Sequence, residues 1–200
     1  MTSQRSIDDY QPLVLEKKWQ DNWDKQGIYL TPDTDINRPN RYHATMLPYP
    51  SGDLHIGHWW AMAPSDMLAR FHRMNGYNVL FPMGFDAFGL PAENAAIQRG
   101  IHPQEWTTTN IERMRGQLKR MGAMFDWSRE INTSSPDYYR WTQWWFLQLF
   151  KNGLAYRTET LANWCPKCQT TLANEQVVGE GVCERCESPV SQKSMPQWLF

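Results

Sequence analysis

Met46-Leu47-Pro48-Tyr49-Pro50-Ser51-Gly52-Asp53-Leu54-His55-Ile56-Gly57-His58 decides the reading of this chain, because a short apolar run breaks into Pro and Gly and then presents His-x-Gly-His. Tyr42 to Leu47 predicts a buried strand, Pro48 to Asp53 cannot continue it, and a helical pattern starts near Ile56. Strand, tight loop and helix start form the layout in which free backbone N–H groups and the positive end of a helix dipole face an anion. Gly57 lets that backbone come close. His55 and His58 then lie on one side of the first helical turn, where they can hydrogen-bond phosphate oxygens, more strongly when protonated. A lone histidine in a helix is ordinarily a satisfied structural residue, but two in this pattern after a strand point to phosphate. No third histidine or carboxylate shares the pattern, which argues against a metal role for the pair.

Working outward, Pro12 to about Ile28 carries Leu13, Leu15, Trp19 and Trp23 near helical spacing and ends at Gly27. Polar Thr31 to Pro39 predicts a loop before the first strand. After the histidines, Trp59, Met62, Met67, Leu68 and Phe71 continue a helix that stops near Gly76, with Arg70, His72 and Arg73 in its last turns. Pro64 must sit early in that helix or kink it. A strand follows from Asn78. Strand, helix, strand predicts a right-handed crossover between parallel strands, hence an α/β, doubly wound sheet.

His102-Pro103 opens a further helix through Ile111, Met114, Leu118 and Met121 towards Gly122. Its basic residues Arg113, Arg115, Lys119 and Arg120 have RNA as one reading and a solvated helix face as the other, favoured because Glu112 and Gln117 lie among them. Ser135-Pro136 caps an aromatic helix with Trp141, Trp144, Trp145 and Leu149 at helical spacing, predicted to be core, which ends at Gly153. Leu154 to Trp164 predicts strands.

The composition, 41% hydrophobic with 14% aromatic over 200 residues, supplies a packed core and excludes a disordered chain. No apolar run reaches the roughly 20 residues that span a bilayer, and Met1-Thr2-Ser3-Gln4-Arg5-Ser6 has no apolar signal region, so a cytoplasmic protein without a membrane partner is expected. A formal charge of −1 gives no global attraction to nucleic acid. Any RNA contact must come from local patches.

All four cysteines fall in Cys165-Pro-Lys-Cys168 and Cys183-Glu-Arg-Cys186, two Cys-x2-Cys knuckles separated by 14 residues. Each knuckle can aim two thiolates at one ion, and four give the closed sulfur shell that structural zinc prefers. Two disulfides are the alternative, at odds with a reducing compartment. With no open coordination position, the metal's role would be to fold a module too small to hold a core.

The His-x-Gly-His string resembles the first nucleotide-binding motif of class I aminoacyl-tRNA synthetases, and Leu47-Pro48-Tyr49-Pro50-Ser51-Gly52 points to the leucyl branch. The segment Asn78 to Ala96, with Asp86-Ala-Phe-Gly-Leu-Pro91, is similar to the second strand and following loop of that family. The likeness continues through Tyr138-Tyr139-Arg140-Trp141, Asn163-Trp164-Cys165-Pro166 and Leu172-Ala173-Asn174-Glu175-Gln176.

The resemblance implies the N-terminal half of a Rossmann-like catalytic domain over residues 1–160, a zinc-ribbon-like module over 161–190 and the start of a connection over 191–200. It implies ATP-dependent activation of leucine to leucyl-adenylate and transfer to tRNA(Leu), with Mg2+ accompanying ATP and with a monomer as the complete form. His55 and His58 are the implied catalytic pair. Pro48, Tyr49, Pro50, Gly52 and Gly57 join them around ATP, and Asp86 pairs with the substrate ammonium. Met46, Leu47 and Tyr49 are candidates for the walls around the leucine side chain. Glu93 and Asn94 have a structural or nucleotide-side role.

Trp59-Trp60-Ala61-Met62 departs from the family's small, basic and amide-bearing run, and Phe85 replaces its tryptophan while keeping an aromatic wall. The lysine-rich second ATP motif is not among these residues, so they are expected to be inactive alone. A methionyl, valyl or isoleucyl enzyme, another nucleotidyl transferase, and a non-catalytic zinc-stabilised binding module are the alternatives.

Overall fold

The computed structural model describes residues 10–33 and 37–200, which divide into two compact units, one ending at Tyr139 and one starting at Arg140. The predicted loop from Thr31 to Pro39 lies partly outside the described residues.

In the first unit, α1 (Pro12–Gln26) starts at a proline and ends at Gly27 in the left-handed conformation. β1 (Asn40–Tyr42) pairs in parallel with β2 (Asn78–Leu80), and α2 (Ile56–Met74) crosses between them. Phe81 carries β2 directly into β3 (Pro82–Phe85), which changes partner and pairs in parallel with β4 (Asp126–Asn132). Two helices, α3 (Leu90–Arg99) and α4 (Pro103–Arg120), fill that second crossover.

The parallel geometry is as predicted, but the strands advance in a single direction, from β1 through β2 and β3 to β4. The reversal of order that makes a sheet doubly wound does not occur among the described residues. The first strand is also shorter than its apolar run. Beyond Tyr42 the His43 amide still reaches across, to the Leu80 carbonyl at 2.8 Å, but Ala44 to Leu47 leave the sheet. Tyr42 and Met46 are both exposed, so the run is not a core strand. Pro64 sits in the middle of an unbroken α2, not near its start.

The core gathers Met62 and Ala69 of α2, Val79, Phe81, Met83 and Phe85 of the central strands, and Ile111, Met114 and Leu118 of α4. Phe85 is fully buried there, so it is a core residue and not the aromatic wall its position implied. Gly84 explains a register shift. A Cβ on it would press on the backbone carbonyl of Ile131, so β3 and β4 approach more closely than any side chain permits. Asp126, with no solvent exposure, accepts from the Thr31 amide at 2.9 Å and from the Ser128 amide at 3.1 Å, tying the segment after α1 to β4.

α5 (Pro136–Lys151) runs from the last residues of the first unit into the second. In the second unit β5 (Tyr156–Cys165) pairs antiparallel with β9 (Ser191–Leu199) in unbroken register from Tyr156–Leu199 to Trp164–Ser191. The segment 191–200, expected to begin a connection, is therefore almost entirely strand. β6 (Thr170–Leu172) lies on the other edge of β5, and β7 (Val177–Val178) forms a small hairpin with β8 (Val182–Cys183). The aromatic helix is not core: no residue of α5 is buried, and Trp141, Trp144, Trp145 and Phe150 are exposed. Its apolar residues at 141, 144 to 147, 149 and 150 run most of the way round, so the ring contacts of Phe146 and Phe150 with Trp198 cover only one side of them.

Candidate active site

The chain enters α2 through His55, whose extended backbone makes it the N-cap. His55 Nδ1 accepts from the Gly57 amide at 3.1 Å, and His58 Nδ1 accepts from the His55 amide at 3.2 Å. The two imidazoles therefore cap the helix in place of the usual Ser or Asp. Their ring centres are 4.1 Å apart. Gly57 makes room for this, since a Cβ there would meet the His55 ring at 2.9 Å.

The amides of His55 and Gly57 are thus already satisfied, so at these two positions the imidazoles, and not the backbone, are the groups left to meet an anion. A neutral ring can do so. With Nδ1 acting as acceptor, each neutral ring carries its hydrogen on Nε2 and can donate it to an anion. Burial, and next the neighbouring His55, hold His58 below the usual histidine pKa, which keeps it in that neutral form at pH 7.

Asp86 leaves the end of β3, the position at which parallel sheets present ligand-binding residues. Its amide donates to the Pro48 carbonyl at 3.0 Å, which ties the strand exit to the start of the histidine loop. The Thr133 hydroxyl accepts from the amides of Ala87 at 2.8 Å and Phe88 at 3.1 Å. Both of its lone pairs are filled, so its own proton goes to Asp86 Oδ1, 3.2 Å away.

Met46, Leu47, Pro48, Tyr49, His58, Asp86, Thr133 and Tyr138 line one open cavity of about 520 Å³, within the range of small-molecule sites. Six of the residues singled out from sequence, Met46, Leu47, Pro48, Tyr49, His58 and Asp86, are thus brought together. His55 stands beside His58 but does not line the cavity, and neither do Pro50, Gly52 or Gly57. Glu93 lines a different cavity, between α3, α4 and the start of α5.

Sequence reasoning passed over Thr133 and Tyr138. Tyr138 lay within a recognised string, and Thr133 follows a strand in a run of hydroxyl residues, the one signal that pointed to it. The basic face of α4 is neither free nor simply solvated: Arg113 pairs with Asp53, Arg115 grips Glu130 through two bonds of 2.7 Å, and Lys119 lies over the Trp127 ring.

In the second unit the Sγ atoms of Cys165, Cys168, Cys183 and Cys186 all lie within 4.8 Å of one another, and none forms a disulfide. Cys165, Cys183 and Leu172 are also the only buried apolar cluster among the described residues of that unit. Hydrogen bonds from Ser188 bring the Cys186 thiol down to about 6, while its hydrogen bond to Cys186 drives Cys168 up to about 12. Four thiolates cannot share this space without a cation. The donor set could hold a metal ion.

The family model for class I tRNA synthetases of the I, L, M and V group matches residues 18–198, and the chain belongs to that family. Within it, the chain is similar to leucine–tRNA ligases: it is 60% identical over 192 residues to that of Rubrobacter xylanophilus and 58% identical over 193 residues to that of Herpetosiphon aurantiacus, in each case over 96% of its length. It spans about a quarter of the length of these curated relatives, 23% and 24%. Among solved structures it is similar to the agnB2 LeuRS of Agrobacterium radiobacter K84 in ternary complex with tRNA and LeuAMS, with 39% identity and a TM-score of 0.88 over 95% of this chain and 24% of that one. The methionyl-tRNA synthetase of Mycobacterium tuberculosis shares the fold at 21% identity, with a TM-score of 0.65 over 80% of this chain and 32% of that one. Among the described residues no helix is long and apolar enough to cross a membrane.

Proposed function

We propose that these residues form the amino-acid side of a leucine–tRNA ligase active site, which activates leucine with ATP and passes it to tRNA(Leu). The observation that carries this reading is the convergence of Asp86, His58 and three apolar or aromatic walls on one cavity.

In the proposed reaction a leucine carboxylate oxygen bonds to the α-phosphorus of ATP, the bond from that phosphorus to the β-bridging oxygen breaks, and pyrophosphate leaves. A terminal ribose hydroxyl of the tRNA then attacks the carbonyl, and AMP leaves. Such a reaction asks the protein to position reactants and stabilise spread negative charge. Asp86, oriented by Thr133, pairs with the leucine ammonium. Met46, Leu47 and Tyr49 enclose its side chain. His55 and His58 donate from Nε2 to phosphate oxygens, aided by the positive end of α2. Mg2+ accompanying ATP would neutralise part of the phosphate charge.

The cysteine cluster suits zinc. Zn–S bonds of about 2.3 Å place tetrahedral sulfurs about 3.8 Å apart, close to the 3.4 Å between Cys165 and Cys186 Sγ and inside the 4.8 Å spread of the set. With four protein ligands such an ion has no open position, and its part is to hold the knuckles of β5 and β8 together.

Leucine rather than methionine, valine or isoleucine is supported by the identity to leucine ligases. The test replaces the matched 192 residues of the Rubrobacter relative with those of this chain and measures amino-acid-dependent ATP–pyrophosphate exchange. Leucine should support exchange, while the other three should be at least about 100-fold weaker. Exchange with methionine and not with leucine would overturn the assignment.

A further inference from the structure

The loop that delivers His55 is held from the side by a residue that sequence reading left among a solvated helix face. Gln117, half-buried on α4, uses both ends of its amide. Its Nε2 donates to Asp53 Oδ1 at 2.8 Å, and its Oε1 accepts from the Leu54 amide at 3.1 Å. Arg113, one helical turn earlier, donates to the other carboxylate oxygen of Asp53. The next amide along, that of His55, is the one that donates to His58 Nδ1. Two successive backbone amides are thus fixed, the first by the Gln117 side chain and the second by Nδ1 of the His58 ring. The Leu54 side chain packs on the core beneath.

We infer that Gln117 is a positioning residue of the phosphate site: with Asp53 it clamps Leu54 so that His55 and His58 keep the ring orientation that presents Nε2. This rests on the functional reading above. The clamp has a defined polarity. Only a group with a donor on one side and an acceptor on the other satisfies both Asp53 and the Leu54 amide, so a carboxylate at 117 would face the Asp53 carboxylate with no proton to share. Reversing the other partner restores the pattern, because an asparagine at 53 can donate where aspartate accepted.

The variants are therefore Gln117→Glu alone and Gln117→Glu with Asp53→Asn, both in the full chain. Two readouts separate the clamp from the function. Amide hydrogen exchange at Leu54 and His55 reports the clamp without any ligand, and calorimetric titration with a non-hydrolysable leucyl-adenylate analogue reports its consequence. Free leucine serves as the control for an intact Asp86 pocket.

We expect Gln117→Glu to speed exchange at Leu54 and His55 at least about 10-fold and to weaken the analogue about 10-fold, with leucine affinity unchanged. The double variant should recover both to within about 3-fold. Unchanged exchange or unchanged analogue affinity in Gln117→Glu would overturn the inference, and so would a loss that the double variant fails to reverse. If the unaltered chain does not bind the analogue, the functional reading itself fails and the role of Gln117 falls with it, while the exchange data still report whether the clamp exists.

Discussion

At the scale of single residues, the site works by using up hydrogen-bonding capacity until one orientation is left. Thr133 has both lone pairs filled by the amides of Ala87 and Phe88, so its proton is committed to Asp86. Replacing it with valine keeps the shape, strands two amides and leaves Asp86 free to turn. Leucine affinity of Thr133→Val should fall about 10-fold, consistent with the roughly 1–1.5 kcal/mol of a neutral hydrogen bond, while Thr133→Ser should stay near the starting value. Equal affinities for the two variants would remove Thr133 from the site.

Buried His43 and half-buried His58 carry a pH signature. Burial, then His72 and Arg41, lower the pKa of His43, and burial, then His55, lower that of His58. A histidine with its folded pKa below the unfolded value of about 6.5 binds fewer protons when folded, so its contribution is present above about pH 6.5 and is lost as pH falls from there through the folded value. Melting temperature should drop between about pH 7.5 and 5.5, and His43→Gln should flatten that slope. A slope unaffected by the substitution would contradict the assignment.

The placement of these residues was partly legible. His-x-Gly-His and Asp86 stood out because their neighbours break a strand and start a helix. The capping geometry of the histidines did not, since it depends on which ring atom meets which amide.

At the scale of elements, helices were legible to within a residue or two wherever a cap marked the end, as at Gly27, His102-Pro103 and Ser135-Pro136. The first strand was not, because an apolar run from Tyr42 to Leu47 has the same composition whether it fills a core or lines a ligand cavity. Phe85 shows the reverse error: a residue next to the site residue Asp86 points into the core because side chains alternate along a strand. α3 carried no clear periodicity and rests on Gly89 and Gly100 at its ends.

The β3–β4 junction gives an element-scale prediction. Gly84→Ala places a methyl against the Ile131 backbone and should cost about 3 kcal/mol, lowering the melting temperature by roughly 5–15 °C. A change of less than about 2 °C would mean that the strands can separate there without loss. In the second unit the four cysteines take the place of a core. Chelation, or Cys165→Ser, should release one zinc per chain and raise hydrogen exchange across residues 161–190, whereas retained stoichiometric zinc in Cys165→Ser would rule out the four-cysteine site.

At the scale of the whole molecule, the exposed aromatic helix is the feature least legible from sequence. Helical spacing correctly indicated a helix, but spacing cannot say whether anything covers it, and no residue of α5 is buried although Trp198 packs its ring on Phe146 and Phe150. A protein made of these 200 residues should therefore bind a hydrophobic dye strongly and self-associate at micromolar concentration. A monomer with no dye signal would show that α5 is covered in solution.

The central claim is that Asp86 and the histidine loop form one half-site for leucyl-adenylate, and calorimetric titration of the chain with a non-hydrolysable leucyl-adenylate analogue tests it most directly. The chain should bind the analogue, and Asp86→Asn should weaken it by at least about 10-fold, the loss expected when a charge-assisted contact of roughly 1.5–3 kcal/mol is removed. Binding that is absent, or equally tight in Asp86→Asn, would contradict it.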